Sequence, residues 1–127
     1  MVDKKQISTD KAPLAIGPYS QGIQTGSLIF LSGQIPLDPS TGAIVEGDIK
    51  AQAHQVLKNV EALCKEVGGD LSNIVKMTVF MTDMNDFAKI NEVYSSYFDG
   101  VFPARSAVQV AGLPLNSDVE MEAILSI

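Results

Sequence analysis

The sequence predicts an α+β fold, a mixed β-sheet with two helices packed on one face. Three observations predict it. Two stretches carry apolar residues at helical spacing, and the stretches around them alternate or run apolar in the manner of strands. Their order along the chain is strands, helix, strand, helix, strands. The 127 residues, 46 % of them hydrophobic, suit one domain spanning 1–127 around one core. With no Trp and few aromatics, aliphatic side chains must do most of the packing.

Residues 3–8 predict a short first strand. Gly17-Pro18 signals a turn within the segment Ala15–Gly22. Ile23–Thr25 and Leu28–Ile35 predict a strand pair joined at Gly26-Ser27. Asp38-Pro39-Ser40-Thr41-Gly42 concentrates turn formers. Residues 49–67 predict a helix, because Ala53, Val56, Leu57, Val60, Leu63, Cys64 and Val67 fall on one face. Asp48 is placed to cap its start and Gly68-Gly69 to end it. Residues 73–82 alternate and are rich in β formers. A second helix is expected from about Asn85 to Phe98, with Phe87, Ile90, Tyr94, Tyr97 and Phe98 as its apolar face. Gly100 and Pro103 break it, and final strands follow at 105–111 and 118–126. If the strands at Leu31 and Val75 are parallel neighbours, the helix between them makes a right-handed crossover.

Period-two alternation assigns the faces of the sheet. In the last strand Val119, Met121, Ala123 and Leu125 point one way, and Asp118, Glu120, Glu122, Ile124 and Ser126 the other. In the strand at 73–82, Val75, Met77, Val79 and Met81 share one face, with Ile74, Lys76, Thr78, Phe80 and Thr82 opposite. Two helices cover one face only. The other keeps Ile74, Phe80 and Ile124, and wetting them forfeits about 25 cal/mol per Å² of apolar area. This predicts a partner subunit on that face. A solvated amphipathic sheet is the plainer alternative.

Composition narrows the function classes. The net charge is −6, and the lysines at 4, 5, 11, 50, 58, 65, 76 and 89 are scattered. That disfavours nucleic-acid binding, which needs a basic patch. No segment approaches the roughly 18–20 apolar residues that span a bilayer. Met1–Gln6 has no apolar leader core. A single cysteine, Cys64, precludes an internal disulfide and suits a reducing compartment. These features together predict a cytoplasmic protein. Cys64 lies mid-helix on the apolar face and reads as a packing residue. His54, the sole histidine, falls beside Lys58, Glu61 and Lys65 on the polar face. One His and one Cys make no recognisable zinc site, and they disfavour Ser-His and Cys-His catalysis. The glycines form neither a dinucleotide fingerprint nor a phosphate loop.

Four residues stand out. Arg105 is the only arginine, set among small and apolar residues in Phe102–Val108 with no acid nearby in sequence. Its planar fork suits bidentate recognition of a carboxylate or phosphate. Glu120 is the acid to pair with it, so a structural ion pair between them is an equal reading. Gly33 beside Ser32 marks either a bulge or a close approach of a ligand to the backbone. Asn91 falls on the apolar side of the second helix, where a buried amide needs partners.

The run Pro103-Ala104-Arg105-Ser106-Ala107-Val108-Gln109-Val110-Ala111-Gly112-Leu113-Pro114, with Val119-Glu120-Met121-Glu122-Ala123, resembles the C-terminal signature of the RidA (YjgF-type) family. Ala15–Gly22, Ser32–Pro36, Val75–Phe80 and Asn85–Asn91 resemble its other blocks, so the resemblance spans nearly the whole chain. It implies a chorismate-mutase-like sandwich that assembles as a homotrimer, with three intersubunit sites. It implies hydrolysis of 2-iminopropanoate and 2-iminobutanoate, and of the enamines 2-aminoacrylate and 2-aminocrotonate that tautomerise to them, giving 2-oxo acids and ammonia. No metal, flavin or pyridoxal cofactor is implied.

By the family pattern Arg105 clamps the substrate carboxylate and Glu120 handles the attacking water. The carbonyl of Ala107 helps hold that water, Gly33 offers backbone contacts, Tyr19 lines the cleft and Asn91 supports the pocket. Many members have Cys where this chain has Ala107. A role for the main-chain carbonyl survives that change, whereas regulation through a thiol is lost. Two other classes compete. One is a regulator that binds a keto or amino acid in the same cleft without turnover. The other is an endoribonuclease, an activity attached to relatives, which the acidic charge and the lack of a His/Lys acid–base set make weak.

Overall fold

The structure, a computed structural model, describes residues 2–127. Six strands form one sheet: β1 (Lys5–Ile7), β2 (Gly22–Thr25), β3 (Leu28–Gln34), β4 (Ile74–Met81), β5 (Ala104–Gln109) and β6 (Val119–Ser126). Two helices, α1 (Ile49–Glu66) and α2 (Phe87–Ser96), complete the α+β architecture. The strand order is β1-β2-β3-β6-β4-β5, antiparallel throughout except for the parallel pair β4–β5.

The chain signals that set these elements act as expected. Asp48 caps α1 by accepting from the amide of Ala51. At the other end Gly68, at φ +81°, donates to the carbonyl of Lys65, and Gly69 donates to that of Cys64. This double closure needs the left-handed turn that glycine adopts without penalty. The β2–β3 hairpin turns at Gly26, at φ +60°. The second helix begins later than its apolar pattern suggests. A short 3₁₀ turn at Met84–Asp86, capped by Asp83, precedes it.

α1 lies across β3 and β6 and against α2. It buries Ala53, Val56, Leu57, Val60, Leu63 and Cys64 on Ile29, Met77, Val79, Met121 and Leu125 of the sheet. The polar Asn59 is buried in the same stripe. Its amide donates to the carbonyls of Ile35 and Leu37, which ties the loop after β3 to α1.

Two expectations are corrected. The strands at Leu31 and Val75 are not neighbours, because β6 lies between β3 and β4. The parallel crossover is instead β4–α2–β5. The register of β4 against β6 also shifts between Ile74 and Lys76. Ile74 therefore turns into the core and Val75 faces out, the reverse of a strict alternation. The uncovered face still presents an apolar surface, now built from Leu28, Phe30, Val75 and Val108, with Phe80 and Ile124 half-buried among them.

Candidate active site

β6 sends Val119, Met121, Ala123 and Leu125 into the core and Glu120 to the opposite face, across from Phe80 of β4. Glu120 leans against β3 where the β3–β6 register slips between Leu31 and Gln34. Gly33 lies in that irregular stretch. A Cβ built on it would stand 2.9 Å from Cδ and 3.0 Å from Oε2 of Glu120. Gly33 is thus the space in which the carboxylate sits. Burial, and secondarily the charge of Glu122, pushes the Glu120 carboxyl above its ordinary range.

Glu120 opens into a cavity of about 510 Å³ that Tyr19 and Gly33 also line. Leu14, Ile16, Ile35, Leu37 and Leu115 make much of its wall apolar. Gln21 holds the segment entering that wall. Its side-chain amide donates to the carbonyls of Thr9 and Pro13 at 3.0 and 2.7 Å, and its Oε1 accepts from the amide of Thr9 at 2.7 Å. The sequence reading missed Gln21. A glutamine just before the apolar β2, with no charged neighbour, was the only signal.

Arg105 lies elsewhere. Its β5 register partner is Met77, a core residue, so its side chain rises on the helix-covered side of the sheet. There it passes under α2. Nη1 donates to Oδ1 of Asn91 at 2.6 Å. The guanidinium carbon stands 4.8 Å from the ring centre of Tyr94 and 5.4 Å from that of Phe87, both within cation–π range. Among the described residues no carboxylate lies within ion-pair distance of it. The structural Arg105–Glu120 ion pair is therefore overturned within the chain. Asn91 is exposed rather than buried, because the helix turns it to the flank where Arg105 emerges. Beside them opens a second cavity of about 340 Å³, lined by Asn91, Tyr94, Phe102, Pro103 and Arg105. Sequence reading assigned Tyr94 and Phe87 to packing. Their second role follows only from β5 running beneath α2.

The predicted site residues thus fall into two groups on opposite faces of one sheet. Arg105 and Asn91 form one, and Glu120, Gly33 and Tyr19 the other. Ala107 pairs with Val79 on the Arg105 side, half-buried, and lines neither cavity. It sits on β5, the edge strand, whose outer main-chain groups have no strand partner among the described residues.

Cys64 and His54 lie on the faces that their helical positions predict. Cys64 is fully buried, and desolvation pushes its thiol up to about 12. His54 is exposed, and its Nδ1 meets the Tyr97 hydroxyl at 3.0 Å. Among the described residues no group of three or more His, Cys, Asp or Glu is placed to hold a metal ion. No described helix is long and apolar enough to cross a membrane.

A family model described as Endoribonuclease L-PSP matches residues 9–127. The mouse 2-iminobutanoate/2-iminopropanoate deaminase is 54% identical over 95% of this chain and 90% of its own length. The Salmonella typhimurium protein of the same name is 51% identical, over 94% and 95% of the two chains. Among solved structures, E. coli TdcF with bound serine superposes at a TM-score of 0.94 with 51% identity, covering 98% of this chain and 99% of that one. RidA from Psychrobacter, also at 0.94, is 48% identical over 97% and 99%. With a match over nearly its whole length and half its residues shared with these relatives, the chain belongs to the RidA (YjgF-type) family.

Proposed function

We propose that this protein hydrolyses short 2-imino acids, and the enamines that tautomerise to them, to 2-oxo acids and ammonia, at sites built between copies of the chain. The observation that carries this reading is the separation just described. An arginine held by an amide and two aromatic faces, with no carboxylate paired to it among the described residues, is suited to an anion. A carboxyl with a raised pKa awaits a reacting group on the other face of the sheet. Neither half is a site alone. A head-to-tail contact that sets Arg105 of one copy against Glu120 of the next completes both.

Because the two halves lie on opposite faces, the contact joins unlike surfaces, and three copies make the smallest closed ring of that kind. A homotrimer also covers the apolar face of Leu28, Phe30, Val75 and Val108. The free outer edge of β5 then brings the main chain of Ala107 to the junction.

The reaction is R–C(=NH)–COO⁻ + H₂O → R–CO–COO⁻ + NH₃. The unbonded N–H groups of Arg105 grip the carboxylate, the fork geometry that guanidinium provides. Glu120 takes a proton from water as its oxygen bonds to C2, and passes that proton to the nitrogen. The product is the carbinolamine. Glu120 then takes the hydroxyl proton and returns it to the amine as the C–N bond breaks. Ammonia leaves and the carbonyl forms. A carboxyl with a raised pKa suits this two-way traffic. Fixing the acid beside a held water makes the attack effectively intramolecular. No step calls for a cofactor.

Mixing two inactive variants tests the reading. Arg105→Ala and Glu120→Gln chains, each inactive alone, are unfolded together and refolded at equal amounts. In random rings about a quarter of the junctions regain both residues. Ammonia release from enzymatically generated 2-aminoacrylate should recover to that fraction of wild type. No recovery, with mixed rings demonstrated by mass, sinks the shared site. Failure of the wild type to speed ammonia release sinks the activity and leaves a ligand-binding regulator as the reading.

A further inference from the structure

Phe87, Asn91 and Tyr94 stand at i, i+4 and i+7 on α2, so one flank of the helix carries all three. Arg105 rises from β5 into that flank. Its guanidinium carbon meets the Tyr94 ring at 4.8 Å and the Phe87 ring at 5.4 Å, and Nη1 meets Oδ1 of Asn91 at 2.6 Å. Tyr94 is itself fixed, since it is buried and its ring packs on Phe98. Glu92, the acid beside Asn91 in the chain, is turned to Lys50 of α1 at 2.8 Å. Among the described residues the contact with Asn91 is the one hydrogen bond that the Arg105 side chain makes.

This cradle differs chemically from an ion pair. A carboxylate would orient the guanidinium, but it would occupy the in-plane N–H donors and cancel the charge that an incoming anion needs. An aromatic ring attracts the cation through its quadrupole, with no formal charge. Two rings and one neutral amide thus hold the group and leave most of its donors open. We propose that Phe87 and Tyr94 are positioning residues for the reaction, holding the Arg105 guanidinium so that its free N–H edge faces the substrate carboxylate. The proposal rests on the hydrolase reading above. The rings act through Arg105. Without them the long side chain samples several rotamers, and ordering it on binding weakens the grip.

The test compares wild type with Tyr94→Leu, Tyr94→Phe and Phe87→Leu. Because Arg105 is the only arginine, isotope-labelled arginine gives one Nε–H signal per chain. That proton should resonate upfield in wild type, under the ring currents, and move downfield in both leucine variants. The Kd of 2-oxobutanoate, read by calorimetry, and the KM for ammonia release from 2-aminoacrylate should each rise about 3- to 10-fold. That is the scale of loss when an immobilised side chain is set free, and kcat should stay within about twofold. Tyr94→Phe restores the ring and should recover the affinity and the signal that Tyr94→Leu loses. Tyr94→Leu also opens the core, so Phe87→Leu, at a half-buried position, carries the test if that variant does not fold. Leucine variants that bind 2-oxobutanoate as wild type does overturn the cradle and leave the hydrolase reading standing. So does a loss of affinity with the guanidinium signal unmoved, which marks a structural role. A wild type that speeds no ammonia release overturns the hydrolase reading, and with it the catalytic purpose of the cradle.

Discussion

Gly33→Ala isolates what the Glu120 pocket does from what it weighs in stability. Gly33 does not have a left-handed φ, so alanine fits its backbone and stiffens the unfolded chain by about 0.4–1 kcal/mol. The new methyl would stand 2.9, 3.0 and 3.2 Å from Cδ, Oε2 and Cγ of Glu120. Ordinary carbon contacts begin near 3.5 Å, so the carboxylate must retreat by roughly 0.5–1 Å. Glu120 is half-buried and its end is free to rotate, so the retreat is cheap. The overpacking cost of about 1 kcal/mol and the backbone gain nearly cancel. Thermal unfolding should therefore move by no more than about 4 °C.

Activity should respond differently, because displacing a reacting group by about 1 Å costs on the order of 100-fold. Steady-state ammonia release should show kcat/KM down by about 10- to 100-fold, mostly in kcat. In a Glu120→Gln background the same substitution should cost almost nothing further, since two changes acting through one group are not additive. A Gly33→Ala protein at wild-type rate, or a full additional loss in the Glu120→Gln background, refutes the assignment of Gly33 as space for the carboxylate.

Arg105→Lys should lose about 10- to 100-fold in kcat/KM, because an ammonium cannot reproduce the fork or stack flat on Tyr94 and Phe87; near-normal imine hydrolysis would count against the clamp. Glu120 must be ionised to take a proton from water, so kcat/KM should rise with pH through a value above the ordinary carboxylate range. Glu122→Gln should move that limb to lower pH, and a shift upward contradicts the charge coupling. The same carboxyl makes stability fall as pH rises through this window, since between its ordinary and raised pKa the folded state holds the proton and the unfolded chain does not; Glu120→Gln should flatten that slope in denaturant titrations. Tyr94→Phe removes a buried hydroxyl that has no hydrogen-bond partner among the described residues, so stability should rise by about 1 kcal/mol, read as about 3–5 °C in Tm. A lower Tm would reveal a partner.

Much of the architecture was legible in the chain because it depends on short-range rules. Seven apolar residues at helical spacing, an Asp before them and Gly68-Gly69 after them define α1 wherever it packs. Alternation in β6 placed Glu120 away from the core without reference to any neighbouring strand. The same rule failed at Ile74 and Val75, since the register shift there is a property of the β4–β6 pairing and not of either strand. It failed again at Asn91, where helical spacing gave the side of α2 but not that this side flanks an edge strand.

By itself the sequence determined the elements, the family and the chemical endowment, one guanidinium and one well-placed carboxyl. Each is a matter of residue type and local spacing. Only the tertiary structure decided how these groups are disposed. The strand order puts β5 at the edge beneath α2 and β6 in the middle of the sheet, so Arg105 and Glu120 emerge on opposite faces. A strand's own alternation fixes a side chain's face relative to its neighbours in the chain. Which face of the sheet that becomes, and what lies over it, depends on long-range pairings that no local pattern encodes.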